Sequence, residues 1–335
     1  MKFRTEIKTE KSGLRLSPEF PLVLVGSCFA DNMSAMMQAH LWKAENPLGV
    51  LYNPFSIEKA LNLVLLSENT EKEFEKTLFQ VNGVWKSWLF YSRMSSCNKE
   101  ELIETFLKKS AAIKELLEKG KVLIVTFGTS WCYWLSSRNQ LTKQYSQDIG
   151  IVGNCHKQPS DFFERRRASI DEIVECWNNL LTHFKKRYKG LNVVFTVSPV
   201  RHLKDGFEGN ARSKAILLLA VEEICKNNEN CHYFPAYEIL NDDLRDYRFY
   251  ATDLVHPSEE GVEYIWEKFK ETFLDEQGIN LLKEGEKIMR AWRHRPLMPL
   301  ASDSEESKEE EERRIKIESE YLNLKKRYPD LGPLL

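Results

Sequence analysis

The stretch LVLVGSCFAD at residues 22–31 joins a short apolar run to a Gly-Ser turn and the start of a helical pattern. The run at 22–25 predicts a buried strand, and Gly26-Ser27 predicts the turn that leads into the helix. The Ser27 hydroxyl would then lie at the carboxyl end of a strand, beside helix-start N–H groups that have no partner within the helix. Ser27 can be interpreted as a helix cap or as a nucleophile that needs a base, and one position can serve as both.

Four further apolar segments end in turn residues and alternate with helical patterns along the chain. This alternation predicts an α/β protein, a three-layer α/β/α fold with a central parallel five-stranded sheet. Ligands bind at the carboxyl ends of the strands in such sheets, so the polar clusters that follow the strands form the candidate site. The predicted strands are 22–25, 49–52, 122–126, 193–197 and 232–234, and the predicted helices are 32–43, 57–66, 99–117, 170–188, 211–226 and 259–274.

Two segments depart from this alternation. The sequence VNGVWKSWLFYSRM at 81–94, with two tryptophans and a Gly-containing turn, predicts an inserted β-hairpin. The composition changes after Leu300, because residues 303–314 are nearly all charged and residues 315–324 follow a weak amphipathic helical pattern. We therefore expect one domain at 1–300 and a charged tail at 301–335 that is helical or partly disordered.

Composition and charge argue against several classes of protein. The chain has 335 residues and a net charge of −2, so nucleic acid is not the expected partner. The N-terminal residues lack the apolar core of a signal peptide, and no run approaches the ~18 apolar residues that a membrane span needs. The seven cysteines do not suggest a disulfide framework. These features predict a cytoplasmic protein with reduced cysteines and no membrane partner.

Asp253 and His256 stand three residues apart in the segment DLVH, directly before Pro257. The carboxylate can orient the imidazole on a single turn, which forms the Asp–His half of a Ser-His-Asp triad. With Ser27, these residues complete the parts of a serine hydrolase; the alternative is a structural histidine before a proline. Cys28 is a second candidate nucleophile, as a thiolate at the helix start, although free cysteines are commonly packing residues.

Loop residues after the later strands contribute further candidates. Asn154 could donate its side-chain amide to a developing oxyanion, or it could make a turn. Arg201 could clamp an anionic or polyhydroxyl substrate, with His202 lining the pocket, or it could hold a structural carboxylate. The Cys-His pairs at 155–156 and 231–232 lack the spacing of a zinc site, so no metal is expected.

Residues 26–30 read GSCFA, and together with several further blocks they make the chain resemble the GSCFA family. That family is similar to the SGNH/GDSL hydrolases, which have a flavodoxin-like fold, a serine after the first strand and an Asp-x-x-His near the C-terminus. The resemblance implies Ser27 as the nucleophile, His256 as the base and Asp253 as its orienting carboxylate. It extends from about residue 11 to about residue 266, and the further blocks are NPLGVLYNP (46–54), TFGTSW (126–131), GNCHKQP (153–159), TVSPVRH (196–202) and LRDYRFYATDLVHPS (244–258).

The resemblance also implies an oxyanion hole, and here the sequence departs from the superfamily pattern. Gly49 matches the glycine whose backbone N–H joins that of Ser27. The third strand typically ends in Gly-x-Asn, whereas residues 128–130 are Gly-Thr-Ser. Either Ser130 donates or Asn154 moves in, and we favour Asn154 because its amide reaches farther. The candidate pocket-lining residues are Ser130, His156, Arg201 and His202.

These residues predict an SGNH-type serine esterase that needs no cofactor. The resemblance implies an acyl ester as substrate, foremost an O-acetyl group on a carbohydrate. Acyl transfer to a second hydroxyl would use the same residues, so an O-acyltransferase stays open. The alternative class is a non-catalytic module that binds a glycan or metabolite, or that serves assembly. The expected partner is a small-molecule or glycan ester, and no oligomeric state follows from the sequence.

Overall fold

The structure, a computed structural model, describes residues 4–8, 11–143, 145, 149–294 and 305–335. The chain divides into two compact units, which are described in turn. The first unit comprises Met1–Lys8, Leu22–Asn32 and Glu45–Ile265, and the second comprises Thr9–Pro21, Met33–Ala44 and Trp266–Leu335.

A five-stranded parallel sheet organises the fold. It is built from β1 (Leu22–Gly26), β2 (Ala44–Glu45), β3 (Val122–Phe127), β4 (Asn192–Val197) and β5 (Cys231–Phe234). The pairs β1–β3, β3–β4 and β4–β5 are all parallel. The predicted α/β sheet is therefore confirmed.

The order of the strands across this sheet is β2-β1-β3-β4-β5, which is the flavodoxin-like order. The chain runs outwards from β1 to β2, then crosses back to β3 and continues on the other side. Sheets of this kind have a crevice at the point where the strand order reverses, outside the carboxyl ends of the two strands that flank it, here β1 and β3. Ser27 directly follows β1, and Gly128 directly follows β3. The topology thus brings these two residues to the crevice.

Both faces of the central strands are buried. Leu24, Ile124 and Val194 on one face of the sheet are at most 5% exposed, and their chain neighbours, which point to the other face, are fully buried. Near-continuous apolar runs are typical of parallel strands that are covered on both sides. The residues of one face share a hydrophobic core with the helices of the first unit; they are Val23, Val25, Leu123, Val125, Phe127, Val193, Phe195 and Val197.

Each predicted helix is present, although the first lies at Cys28–Ala39 rather than at 32–43, and capping side chains set several of the helix starts. α2 begins earlier than predicted because Asn53 Oδ1 accepts the Ser56 N–H at 2.8 Å and Pro54 occupies the first helical position. A capping box of Ser169 and Glu172 starts α5. The helices are α1 (Cys28–Ala39), α2 (Pro54–Leu61, continued by a π-helical turn at Asn62–Leu66), α3 (Thr70–Lys76), α4 (Lys99–Gly120), α5 (Ile170–Arg187), α6 (Gly206–Asn227), α7 (Glu259–Phe273), α8 (Glu276–Arg293) and α9 (Glu305–Arg327).

The predicted strand at residues 49–52 is wrong. The edge strand is β2, and within 49–52 only Val50 forms a parallel bridge, to Gly26. Gly49 has a φ of 69°, a left-handed conformation that interrupts an extended run. The Leu51 N–H nevertheless donates to the Gly26 carbonyl at 2.8 Å. The segment therefore lies beside β1 without forming a strand.

Two small antiparallel sheets are added to this plan. The predicted hairpin is present, but it lies at Leu78–Val81 and Val84–Ser87 rather than across 81–94, with Ser95–Ser96 as a third strand. Its turn residues Asn82 and Gly83 both have positive φ values, 52° and 78°, as tight hairpin turns require. The other sheet was not predicted; it pairs Trp131–Leu135 with Ile151–Val152 and Phe163–Arg167.

The second unit has its own core between α8 and α9. The predicted helical pattern of the tail is confirmed as α9, whereas the predicted boundary at residues 300–301 lies outside the described residues. Tyr321 of α9 donates its hydroxyl to the Gly332 carbonyl at 3.0 Å, which fixes the chain after the helix. No helix within the described ranges is long and apolar enough to cross a membrane. The core residues are Leu41, Leu281, Ile288, Met289, Ile317, Tyr321, Leu324 and Leu331.

Gly26 is required by the close approach of β1 and β3. Its φ is 143°, and an added Cβ would overlap the Thr126 carbonyl oxygen. We expect Gly26→Ala to lower the free energy of unfolding by about 3 kcal/mol or more. Gly83 also has a positive φ, with nothing within 4 Å of an added Cβ, so Gly83→Ala should cost only about 1 kcal/mol. Urea unfolding of both variants measures the difference, and equal losses would contradict the predicted clash.

Candidate active site

Ser27 lies at the start of α1, where the chain turns away from the sheet. Its N–H donates to the Thr126 carbonyl at 3.2 Å, and its Oγ accepts the Phe29 N–H at 3.4 Å. The second of these bonds is long for a helix cap. Ser27 is only 1% exposed, and a Cβ built on Gly128 would lie 3.3 Å from Ser27 Cβ and 3.4 Å from Cδ1 of Tyr52. Gly128 therefore borders the serine, and the Tyr52 ring packs beside Gly128.

Asp253 and His256 are brought together in the loop before α7. The Nδ1 atom of His256 lies 2.7 Å from Asp253 Oδ2, while Asp253 Oδ1 accepts the N–H groups of His256 at 3.0 Å and Val255 at 2.9 Å. These bonds, led by the backbone N–H of His256, lower the pKa of Asp253 to about 2. The carboxylate thus stays ionised above about pH 4, and its bonds weaken only as the pH falls towards 2. An ionised partner at Nδ1 favours the tautomer whose Nε2 is free to accept a proton.

The loop that follows β4 holds the Asp–His loop in place. Arg201 donates its N–H to the Val255 carbonyl at 3.1 Å, and its Nη1 lies 3.4 Å from the Leu254 carbonyl. The guanidinium also lies over the Tyr250 ring, 4.0 Å from the ring centre. In this structure Arg201 therefore supports the loop through backbone and cation–π contacts.

Ser27, at the start of α1, and His256, in the loop before α7, lie at the same edge of the sheet, yet no hydrogen bond joins Ser27 Oγ to His256. Asp253 and His256 keep 49% and 44% of their side-chain surface exposed, whereas Ser27 is buried. Catalytic hydrogen bonds are often long or poorly aligned in a free enzyme. A productive Ser27–His256 hydrogen bond would thus require a rearrangement from this geometry.

The predicted oxyanion donors are engaged elsewhere. The Gly49 N–H donates to the Asn46 carbonyl at 3.2 Å. The Asn154 amide lies 3.5 Å from Ser92 Oγ, and its oxygen accepts the His156 N–H at 2.8 Å. Asn154 thus makes the turn that the sequence left open as its alternative.

Three predicted pocket residues have structural contacts. Ser130 is buried and donates both its N–H, at 2.8 Å, and its hydroxyl, at 3.1 Å, to Ser213 Oγ. The His156 ring is buried among aromatic rings with Nε2 2.7 Å from the Ser87 carbonyl, and burial lowers its pKa. His202 lies 3.6 Å from Asp205 through Nδ1, and burial lowers its pKa although the carboxylate opposes the shift.

Cys28 is a thiol at neutral pH rather than a thiolate. Burial raises its pKa, and the neighbouring Asp31 carboxylate raises it further. A reactive cysteine needs the opposite shift. The thiol therefore lacks the activation that its place at a helix start suggested.

Sequence reasoning missed the α6 residues Ser213 and Lys214, which contact the loops after β3 and β4. Lys214 is 1% exposed, and its Nζ donates to the Gly128 carbonyl at 2.7 Å and the Ser198 carbonyl at 2.6 Å. Burial lowers its pKa to about 7. The available signal was helical spacing, because Lys214 continues the buried stripe of Leu217, Val221 and Ile224.

Among the residues that the structure describes, no three His, Cys, Asp or Glu side chains lie close enough together to hold an ion.

Comparison with known proteins bears on this region of the chain. No curated protein matches the sequence significantly. A sequence model of the GSCFA family matches residues 21–269, the part that contains β1 to β5 and the Asp253–His256 loop. Because this match covers well over half of the protein, the chain belongs to the GSCFA family.

Proposed function

We propose that this protein is a serine ester hydrolase of the SGNH type, with Ser27 as nucleophile, His256 as base and Asp253 as its orienting group. The observation that carries the proposal is the Asp253–His256 pair. A carboxylate fixed by two backbone N–H groups holds Nδ1 at 2.7 Å, which leaves Nε2 as the proton acceptor. The loop that carries Asp253 and His256 lies at the same edge of the sheet as Ser27.

The reaction would proceed in two acyl-transfer steps. His256 Nε2 takes the Ser27 proton as Oγ attacks the ester carbonyl carbon, and Asp253 stabilises the imidazolium. The tetrahedral intermediate collapses, the alcohol leaves with the proton from His256, and an acyl-serine remains. Water then attacks the acyl group with His256 as base, which releases the acid and restores the hydroxyl.

We propose the first turn of α1 as the main oxyanion site. The N–H groups of Cys28 and Phe29 belong to this turn, where backbone donors have no carbonyl partner four residues earlier; the Phe29 N–H makes only its long bond to Ser27 Oγ, at 3.4 Å. The positive end of the helix dipole adds to their effect on a developing oxyanion. The Ser27 and Gly49 N–H groups, each held by a carbonyl at 3.2 Å, would join only after local rearrangement.

An O-acylated carbohydrate is the substrate class we propose, by analogy with the hydrolases that the family resembles. A second candidate function is binding of a glycan or metabolite without turnover. The 1% exposure of Ser27 favours that alternative, because a nucleophile must meet its substrate. Transfer of the acyl group to another hydroxyl would follow the same first step.

The test is release of acid from a panel of esters: p-nitrophenyl acetate, an acetylated monosaccharide and an acetylated polysaccharide. We expect acetate release from at least one of them, and Cys28→Ala should retain the rate within about threefold because the thiol is protonated. Addition of a free sugar alcohol separates hydrolysis from transfer by the products formed. Binding of an ester without acid release or acyl transfer would favour the non-catalytic alternative.

A further inference from the structure

Lys214 is a lysine buried in the first unit, at a position where an apolar side chain is expected. It lies on α6 in line with the apolar residues Leu217 and Val221, and it is 1% exposed. An ammonium group loses its hydration on burial, which is unfavourable unless other groups replace the water. Within the described residues Lys214 has no carboxylate within salt-bridge distance. Its two backbone carbonyl partners are thus the main compensation that the fold provides.

Those two carbonyls belong to the two halves of the candidate active site. Gly128 borders Ser27, since a Cβ on Gly128 would lie 3.3 Å from Ser27 Cβ. Ser198 begins the loop whose Arg201 N–H holds the Val255 carbonyl at 3.1 Å, next to His256. Lys214 Nζ contacts Gly128 at 2.7 Å and Ser198 at 2.6 Å. One side chain therefore connects the serine side of the site to the histidine side.

The residue before Lys214 strengthens this connection. Ser213 Oγ accepts the Ser130 N–H at 2.8 Å and lies 3.0 Å from Thr129 Oγ1. On the opposite side, the N–H groups of Gly128 and Thr129 both donate to the Tyr52 carbonyl, at 2.8 and 3.0 Å. The 128–130 loop is thus held between α6 and Tyr52, and it has little freedom to move away from Ser27.

We propose that Lys214 is a positioning residue that fixes Ser27 relative to His256 by binding the carbonyls of Gly128 and Ser198. The inference rests on the proposed function. Lys214 makes no contact with substrate in this proposal. Loss of its two hydrogen bonds should therefore slow the reaction of Ser27 without weakening the binding of a ligand. Misplacement of reacting groups by about 1 Å can lower a rate about 100-fold.

The test is the kinetics of Ser27 modification by a fluorophosphonate in the full-length protein. Lys214→Met removes the donors and keeps an unbranched apolar chain of similar length. We expect the limiting rate of Ser27 labelling to fall about 100-fold, with the concentration for half-maximal rate within threefold of the wild-type value. Leu217→Ala is the matched control: it weakens packing on the same buried stripe, leaves both carbonyl bonds intact, and should keep the limiting rate within threefold.

The results separate this inference from the proposed function. A labelled wild type with an equally fast Lys214→Met variant would overturn the role of Lys214 and leave the serine hydrolase standing. A wild type that is never labelled at Ser27 would overturn both. If circular dichroism shows that Lys214→Met is unfolded, Lys214→Gln carries the test, because its shorter neutral amide cannot span both carbonyls. A loss of at least tenfold in limiting rate is then expected, and an unchanged rate would contradict the inference.

Discussion

Replacement of Ser27 by alanine is expected to lower kcat/KM for an ester substrate by about 10⁴-fold or more, because the variant has no atom that can form the acyl intermediate. The residual rate would come from binding and from backbone donors at the start of α1. The fold should tolerate the change, since the hydroxyl accepts one hydrogen bond, at 3.4 Å. We therefore expect a loss of stability near the lower end of the ~0.5–2 kcal/mol that cap removal costs.

Ser110→Ala provides the matched control for this variant. Ser110 is a buried serine of α4 that donates to the Phe106 carbonyl at 2.9 Å, so its removal tests the loss of a buried hydroxyl elsewhere in the same unit. It should leave kcat/KM unchanged. An active Ser27→Ala variant with normal thermal stability would remove Ser27 from the mechanism.

Asp253→Asn is expected to lower kcat about 10²–10³-fold. An asparagine amide that faces Nδ1 would donate a hydrogen bond to it, so the ring proton would move to Nε2 and block acceptance of the serine proton. Larger losses, about 10⁴-fold, accompany this change where the aspartate is buried. Here the carboxylate is 49% exposed, so solvent competes and the expected effect is smaller. Activity should be measured from pH 5 to 9, where the native carboxylate remains ionised.

Asp246→Asn is the control for the charge change. Asp246 is another half-exposed aspartate of the same region, and its Oδ1 accepts the Arg248 N–H at 3.0 Å without contacting His256. We expect it to retain wild-type kcat. Equal losses in the two variants would mean that the charge of the region matters rather than the orientation of His256.

The sequence predicted the fold well where one local pattern determines one element. β1, β3 and β4 are buried apolar runs that end in turn residues, and the sequence indicates each of them. β5 is shorter and only partly buried, and the proline that follows it marks its end. The segment at 49–52 is also apolar, but it begins with Gly49, whose positive φ interrupts it; a glycine permits that angle without requiring it. The sheet around Trp131–Leu135 depends on pairing with Phe163–Arg167, a partner about thirty residues away that periodicity does not identify.

The candidate site shows the same division between local and distant contacts. The Asp253–His256 pair needs only a three-residue loop, so the spacing of the two residues predicted it. The surroundings of Asn154 depend on Ser92, and those of Ser130 on Ser213, which are contacts between segments far apart in sequence. The sequence does not single out Lys214, because a lysine at an apolar helical position ordinarily extends its ammonium group into solvent. Here hydrogen bonds to two backbone carbonyls stabilise the buried side chain.

The most direct test of the central claim is to treat the folded protein with a fluorophosphonate and to locate the adduct by mass spectrometry of its peptides. The account predicts a single modified residue, Ser27, with labelling lost in Ser27→Ala and slowed at least 100-fold in His256→Ala. Modification at Cys28, or no modification of a protein whose circular dichroism and thermal transition show that it is folded, would contradict the claim that Ser27 is an activated nucleophile.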